Sequence, residues 1–285
     1  MSKVSLTYTS SNGQTFNLMA SDIRLRTANF FSARWKPEIS KKQFGGQVQR
    51  WTKDPLEYTM ELIFTGPVEA RKEALTAFWS AAETDILTGK PGVLQYQNAT
   101  LEGYFAEEET YPAESQRQTA HVVSFYAPVP FWTTEQEIQI SPLTDPEEEL
   151  PLKTYDGGYS YDTGYHYPVV ETAVMVNTDH YTESDFRMKI FGPTSNVNIT
   201  MGGNLYRVNH SVGNGEVLVV DSRASQPADR RCYLIGVGGG ITNIFNSRIG
   251  TLFNKLPPGS WEIDYSREYT LELTIYKRRS VPFWR

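Results

Sequence analysis

The sequence has a single cysteine, no N-terminal apolar segment and no apolar run long enough to cross a bilayer. One cysteine, Cys232, cannot form a disulfide within the chain, so the sequence gives no support for secretion. The start, MSKVSLTYTSSNG, lacks the apolar core of a signal peptide. We therefore expect a soluble protein made in a reducing compartment, with Cys232 packed as a small strand residue.

The chain also lacks an excess of basic residues. It has 27 lysines and arginines against 33 aspartates and glutamates, which gives a formal net charge of −6. This balance argues against a phosphate-binding surface spread over the whole molecule. It is compatible with a polar path along which DNA slides without being held.

Motifs for metal, nucleotide or nucleophile chemistry are missing too. The four histidines stand in none of the common zinc spacings, and no second cysteine can complete a zinc site. GVGGGITN, at residues 236–243, lacks the lysine and hydroxyl residue of a nucleotide loop, and we interpret it as a strand connection. No G-x-S-x-G motif occurs. The sequence predicts no metal, no cofactor and no enzymatic activity.

Two runs of three glutamates, at residues 107–109 and 147–149, raise the hypothesis of a glycan hydrolase. Such an enzyme needs two carboxyl groups across a cleft, one of them kept protonated by its surroundings. Adjacent acidic residues in polar segments instead stay hydrated and ionised. We interpret both runs as solvated surface.

Aromatic residues and turn formers are plentiful: 17 tyrosines, 14 phenylalanines, 21 glycines and 16 prolines. This composition is typical of mostly-β proteins. Residues 56–64, LEYTMELIF, alternate apolar and polar side chains and predict a half-buried strand. A helix is predicted from about 67 to 86, with an apolar stripe that ends at Ile86. Asn-Gly pairs at 12–13 and 214–215 predict two hairpin turns.

The tetrapeptide VPFW occurs twice, at residues 129–132 and 281–284, each time after a predicted β-strand. We interpret each copy as the end of a β-rich domain. The predicted N-terminal domain, 1–132, is a β-barrel or split barrel with one packed helix. The predicted C-terminal domain, 169–285, is a β-sandwich. Residues 133–168 form an acidic connector that is rich in Tyr and Gly.

The candidate binding residues are five tyrosines of the connector, spaced by Gly, Asp and Ser: Tyr155, Tyr159, Tyr161, Tyr165 and Tyr167. A tyrosine on an adaptable loop offers a large apolar contact area and a polar tip, which suits the binding of a protein or of sugar rings. Alternatively, these side chains fold back and cover the edge of the sandwich. Both interpretations stay open.

The order of short motifs along the C-terminal half resembles that of the distal tail proteins of long-tailed bacteriophages. A strand ending in Gly-Pro (KIFGP) is followed by NVNI, the turn GNGE and the strand LVVDS. NIF and the turn FNKLPPGSWEI come next. In the N-terminal half, the helix followed by GKPGVLQY and the ending APVPFW agree more loosely. The resemblance therefore covers nearly the whole chain.

The resemblance implies a galectin-like C-terminal sandwich and a structural role without catalysis or cofactor. Members of that family form a ring, usually of six subunits, at the tip of the tail tube, with the N-terminal domains around a channel. The expected partners are other copies of the chain, the tail tube protein, the tail-tip hub protein and receptor-binding or other baseplate proteins. DNA is expected to pass through without specific binding, and no membrane contact is expected. The expected location is the virion tail tip, after synthesis in the cytoplasm of the bacterial host.

A second hypothesis is an adhesion module that binds host surface carbohydrate through the Tyr-rich loop. The two hypotheses differ in what they predict. A ring protein oligomerises, alone or on contact with tube and hub. A carbohydrate module loses binding when Tyr161 and Tyr165 are replaced by Ala, while its fold stays intact.

Overall fold

The structure is a computed structural model that describes residues 4–110, 118–143, 173–224, 226 and 231–282. The chain divides into two compact units. Unit 1 runs to Glu135 and also includes the described residues from Arg278 onward, and unit 2 is Gln136–Lys277. Both are built of β-strands, with a single α-helix in the described ranges, so the mostly-β prediction is confirmed. The galectin-like character of the sandwich stays a prediction.

Unit 1 contains ten strands, one of them only in part, and the helix. In chain order they are β1 (Leu6–Thr9), β2 (Thr15–Asn17), β3 (Ile23–Ala28), β4 (Lys36–Lys41), β5 (Gly46–Thr52), β6 (Leu56–Thr65), α1 (Val68–Thr88), β7 (Gly92–Tyr96), β8 (Ala99–Thr110), β9 (Gln118–Ala127) and the start of β10 (Trp132–Ile140). Two antiparallel sheets have the orders β2-β1-β7-β8 and β3-β6-β9-β8. Strand β8 joins both sheets, and its register shifts between Phe105 and Glu107.

Local sequence explains these elements. The turn between β1 and β2 forms at Asn12-Gly13, where Gly13 has a φ of 87° and the Asn12 side chain accepts a hydrogen bond from the Gln14 N–H at 3.0 Å. In β6 the side chains alternate as predicted, because Tyr58 and its i+2 neighbours are buried while Glu57 and Thr59 face out. The core of unit 1 lies between the inward faces of these strands and α1.

Helix α1 begins after Pro67 and ends at Gly89, whose φ of 65° is the left-handed conformation of a helix C-cap. The prediction that the buried apolar stripe extends to Ile86 is wrong. Ile86 is 46% exposed, and Asp85 is fully buried in the core instead. The reason is polar pairing, because Asp85 accepts a hydrogen bond from the Tyr8 hydroxyl at 2.5 Å. No helix in the described ranges is long and apolar enough to span a membrane.

Unit 2 is a sandwich of two antiparallel sheets. After the end of β10 its strands are β11 (Val174–Thr178), β12 (Asp185–Phe191), β13 (Val197–Met201), β14 (Asn204–Val208), β15 (Val217–Asp221), β16 (Cys232–Ile235), β17 (Ile241–Asn243), β18 (Arg248–Ile249), β19 (Gly259–Asp264) and β20 (Thr270–Arg279). One sheet has the order β17-β16-β15-β12-β20, and the other has the order β11-β19-β13-β14-β18. Their inward faces share one apolar core, which also buries Cys232.

Two sequence predictions need correction. Gly215 does form a turn, with a φ of 77°, but no hairpin results. The strand after the turn, β15, pairs with β12 and β16, whereas Val212, before the turn, bridges to Thr194. The predicted connector at 133–168 also starts too early, because residues 132–140 form β10. That strand alternates outward polar and half-buried side chains, and Ile140 is buried in the core of unit 2.

Stability is expected to fall as the pH rises above about 10. Burial raises the pKa of six tyrosine hydroxyls above their ordinary value near 10: Tyr8, Tyr58, Tyr96, Tyr206, Tyr265 and Tyr269. The unfolded chain then releases these protons before the folded chain does, so alkali favours unfolding. Urea titrations at pH 8 and pH 11 should give a clearly lower midpoint at pH 11. An unchanged midpoint would contradict the raised pKa of these hydroxyls in the folded chain.

Candidate functional site

The five tyrosines predicted as binding residues fall between residues 144 and 172, outside the described residues: Tyr155, Tyr159, Tyr161, Tyr165 and Tyr167. Their role therefore stays a prediction. The described residues offer three other candidate surfaces. They are an isolated hairpin and an acidic sheet face in unit 1, and a polar pocket in unit 2.

The hairpin consists of β4 and β5, residues 36–52, and we call it the arm. In the described part of the chain its two strands pair only with each other. Their register sets Pro37 opposite Trp51 and Ile39 opposite Val48, so these four side chains share one face. Ile39, Val48 and Trp51 are exposed, and Phe44 at the tip is 89% exposed. An uncovered apolar face of this kind is a candidate binding surface.

The arm is also basic. Six basic and two acidic residues lie between Arg34 and Asp54, so this stretch carries +4 while the whole chain carries −6. The remainder of the chain is therefore at −10. Near the base, Arg50 pairs with Glu38 across the polar face. Among the described residues, Lys41 and Lys42 at the tip have no ion-pair partner.

The first VPFW segment anchors the base of the arm. The Lys53 ammonium lies 4.4 Å from the ring centre of Phe131 and donates a hydrogen bond to the Pro130 carbonyl. The Trp35 ring, just before β4, packs edge-on against Phe131 at 5.9 Å. Trp132 is buried and contacts core aromatics of unit 1. Burial lowers the pKa of Lys53 to about 8. The arm therefore projects from a fixed base.

Replacing Lys53 by Met should loosen the arm without unfolding unit 1. The variant keeps the apolar stem but loses the contact with the Phe131 face and the bond to the Pro130 carbonyl, each worth roughly 1 kcal/mol. Hydrogen exchange of the arm amides should then accelerate roughly tenfold. The matched control, Lys41→Met at the tip, should leave exchange at the base unchanged. Equal exchange in the two variants would show that Lys53 is not the anchor.

The acidic face is the outward side of the sheet β3-β6-β9-β8. Here Glu57 lies opposite Tyr126, and Ser124 lies opposite both Thr59 and Glu107. An open pocket of about 290 Å³ is lined by Glu57, Ala106, Glu107, Ser124 and Tyr126. Further along the sheet, Glu61 is neutralised by Arg26 at 2.9 Å. On the rest of this face, Glu57 and Glu107 are acidic residues without an ion-pair partner in the described part of the chain, and Arg24 in β3 is an exposed basic residue opposite Ile63.

The polar pocket lies on the outward side of the β11-β19-β13-β14-β18 sheet and next to it. It is open, has a volume of about 470 Å³ and is lined by Asn196, Asn198, Thr200, Asp264, Tyr265 and Ser266. Amide, carboxyl and hydroxyl groups of this kind can exchange hydrogen bonds with a polar ligand. Tyr265 is almost fully buried, so it presents little ring face for stacking.

The residues of the hydrolase hypothesis do not assemble a catalytic pair among the described residues. Glu107 lies exposed on the acidic face, while the Glu108 carboxylate contacts His121 Nδ1. The described residues contain no cluster of three His, Cys, Asp or Glu side chains that could hold a metal ion.

Comparison with known proteins gives matches in structure alone. No family model and no curated protein matches the sequence. Two solved structures of the phage p2 baseplate in its activated conformation, one with Sr and one with Ca, match with a TM-score of 0.66. Each match is 11% identical in sequence and covers 99% of this chain and 100% of the other. The chain has the fold of these baseplate proteins.

A third structure, the Dit protein of phage SPP1, is described as a paradigm of the hub adsorption apparatus in phages that infect Gram-positive bacteria. It matches with a TM-score of 0.61 at 9% identity and covers 98% of this chain and 100% of the other. The resemblance read from the sequence motifs is thus confirmed as a shared fold over both units.

The arm is a candidate surface that was not predicted from the sequence. Its segment, KPEISKKQFGGQVQRWT, does contain a signal, because Gly45-Gly46 separates a run in which Pro37 and Ile39 alternate with polar residues from a second run that contains Val48 and Trp51. Two features masked this signal. Most of the residues are polar, and the extra residue between the pairs Glu38–Arg50 and Ile39–Val48 breaks the alternation of β5.

Proposed function

We propose that this chain is a structural subunit of a phage tail tip. Six copies form a ring that joins the tail tube to the tail-tip hub and leaves a channel for DNA. The observation that carries this proposal is the fold match over 98–99% of the chain, which includes both units. A match to a single common sandwich would say little about function, whereas this succession of two units is specific.

Ring closure is supported by the ends of the sheet β3-β6-β9-β8. Among the described strands, β3 at one end pairs with β6 alone, and at the other end the last part of β8 pairs with β9 alone. Leu25 in β3 also donates to the Leu18 carbonyl, which covers part of that edge. Two unlike edges on one unit favour a heterologous contact, and such a contact closes into a ring when its rotation permits.

The acidic face is the proposed wall of the channel. On its outward side this sheet presents Glu57 and Glu107, whose carboxylates repel phosphate, together with Arg24 and the Arg26–Glu61 ion pair toward its β3 edge. Such a wall would let the DNA slide, because proteins hold DNA mainly through contacts between cationic side chains and its phosphates. The arm and its basic residues are then left to bind protein partners.

Unit 2 is proposed to project outward and to contact receptor-binding or other baseplate proteins. It requires no cofactor or catalysis for this role. The carbohydrate-binding function is a second candidate, and the polar pocket around Asn198 and Asp264 favours it. A glycan array probed with the chain tests it directly. Binding lost in Asn198→Ala, or in Tyr161→Ala with Tyr165→Ala, supports it, and a silent array removes it.

Complementation of a phage that lacks this protein tests the structural role. Tails assembled without it should lack a complete tip and fail to infect, and the added wild-type chain should restore both. Antibodies against the chain should then label one end of the tail in electron micrographs. Label along the whole tube, or complete tips without the chain, would refute the proposal.

A further inference from the structure

Strand β17 forms an open edge of unit 2. In the described part of the chain it pairs with β16 alone. The Ile244 N–H donates to the Cys232 carbonyl at 3.1 Å, and hydrogen bonds in an antiparallel ladder recur at every second residue. The N–H and C=O groups of Ile241 and Asn243 therefore point away from β16. The strand contains no lysine, proline or bulge of the kind that protects an edge, so it can accept one more strand.

Two arginines lie at the end of β17 with a face of each guanidinium group on an aromatic ring. The guanidinium carbon of Arg248 is 3.9 Å from the ring centre of Phe245, and that of Arg231 is 3.9 Å from the ring centre of Phe253. The two rings stack with centres 5.8 Å apart, so the four side chains form one cluster. The Phe245 N–H donates to the Asn243 side chain at 2.8 Å, which places the cluster directly after β17.

The two guanidinium groups are held in place and keep donors for a ligand. Each donates one hydrogen bond of 3.0 Å to a backbone carbonyl, Arg231 to Ser222 and Arg248 to Phe245. A guanidinium group has five N–H donors, and neither arginine has an ion-pair partner among the described residues. Since the rings cover guanidinium faces, a ligand meets the N–H groups along the edge. This geometry suits a carboxylate that accepts two parallel hydrogen bonds.

The stretch of sequence that carries this cluster lacks acidic residues. Residues 230–261 contain three arginines and one lysine but no aspartate or glutamate, while the whole chain carries −6. Two copies that paired through β17 would bring like charges together, which disfavours a second copy as the occupant. The rings of Phe245 and Phe253 stack on each other and on the arginines, which leaves little ring surface for a sugar.

From these observations we infer that the β17 edge binds an extended acidic segment of another tail-tip protein. The segment adds a strand through the backbone groups of Ile241 and Asn243, and one of its carboxylates pairs with Arg248 or Arg231. Its apolar side chains meet Ile241, which is 46% exposed. The inference rests on the proposed tail-tip role and names the surface and the partner chemistry of unit 2.

Binding of synthetic peptides to the purified full chain tests the site. The probe is a labelled peptide of alternating valine and glutamate, and its control has lysine in place of glutamate. Fluorescence anisotropy should show that the acidic peptide binds tighter by roughly tenfold or more. N-methylation of the peptide nitrogens on one edge should abolish binding, because it blocks pairing with β17. Absence of saturable binding up to roughly 1 mM would refute the inference.

Variants of Arg248 test the charged contact. Arg248→Gln should lower the affinity for the acidic peptide roughly tenfold, and Arg248→Lys should recover only part of it because lysine lacks the two parallel donors. The matched control, Arg24→Gln, changes an exposed arginine of unit 1 and should bind as wild type. Equal affinities of Arg248→Gln and Arg24→Gln would contradict the role of the cluster.

Ile241→Pro tests the backbone contact, since it removes an N–H from the open edge and leaves the ladder with β16 in place. The affinity should again fall roughly tenfold, with an unchanged urea midpoint of unit 2. Binding that persists in this variant and with the N-methylated peptide would show that charge alone holds the peptide, and would refute the added strand.

These measurements separate the inference from the tail-tip role. A chain that restores infection but binds no peptide would refute the site and leave the role intact. A chain that binds the peptide but restores no tails would keep the site and refute the role. A dimer that forms without peptide and is lost in Arg248→Gln would assign the edge to a second copy and overturn the acidic partner.

Discussion

Replacing Tyr8 by Phe is expected to lower the free energy of unfolding of unit 1 by about 2–3 kcal/mol, although only one oxygen is removed. The Tyr8 hydroxyl donates to Asp85 Oδ2 at 2.5 Å, and the Ser11 N–H donates to Oδ1 at 2.7 Å. Asp85 is fully buried, so no solvent replaces the lost donor. The variant keeps the shape of the core, but the buried Asp85 carboxyl group keeps only one of these two hydrogen-bond donors.

A substitution at Gly92 tests the contact between Tyr8 and Asp85 by crowding it. A Cβ at this position would lie 2.4 Å from the Asp85 carboxylate and 2.5 Å from the Tyr8 ring. Gly92→Ala should therefore push the pair apart and cost about 1–3 kcal/mol. The result should not add to that of Tyr8→Phe in the double variant, because both changes disrupt one set of contacts.

Urea unfolding followed by tryptophan fluorescence measures both effects. Tyr126→Phe is the control, since that side chain is exposed on the acidic face and its loss should change stability by less than about 0.5 kcal/mol. A chain with two units can unfold in two steps, and only the unit 1 transition should move. Equal stability of Tyr8→Phe and Tyr126→Phe would mean that the buried carboxyl group does not depend on the hydroxyl.

Reversing the charge of the acidic face should block infection at the stage of DNA passage. Glu57→Lys with Glu107→Lys would place about a dozen cations around the proposed six-subunit channel, where they would hold phosphates and release counterions. We expect infective titre to fall roughly tenfold or more, with complete tails and normal adsorption. Ejection of DNA into buffer should recover as salt is raised, because phosphate binding weakens steeply with ionic strength.

The control for this experiment carries the same change of charge elsewhere in unit 1. Glu102 and Glu135 are exposed but lie outside the acidic face, on the first half of β8 and on β10. Glu102→Lys with Glu135→Lys should leave the titre close to wild type. If both pairs lower the titre equally, net charge and not the channel wall causes the defect.

The sequence predicted the regular elements because their side chains follow one period. The alternation in β6 allows one buried side only. That each VPFW copy ends a domain stays a prediction; in the first copy, Phe131 packs against Trp35 at the base of the arm and Trp132 is buried in the core of unit 1. The order of weak motifs then pointed to the fold that the structural matches share.

What the sequence did not predict depends on contacts between distant residues. A charged residue such as Asp85 would be predicted to be exposed on a helix. It is buried because the hydroxyl of Tyr8, 77 positions earlier in the sequence, donates a hydrogen bond to it. The hairpin predicted at Asn214-Gly215 failed because β15 finds better partners than the segment before the turn. The apolar side chains of the arm are exposed in the described part of the chain, so its sequence lacks the regularly spaced apolar residues by which a core strand is predicted.

Electron microscopy of the purified full chain, together with its mass in solution, tests the central claim most directly. The claim is that unit 1 carries two unlike flanks that join copies around a hole. It predicts closed rings with a central channel and a mass near 190 kDa, which is about six times the 32.4 kDa of one chain. A monomer of 32.4 kDa that forms no ring, alone or with tail tubes, would contradict it.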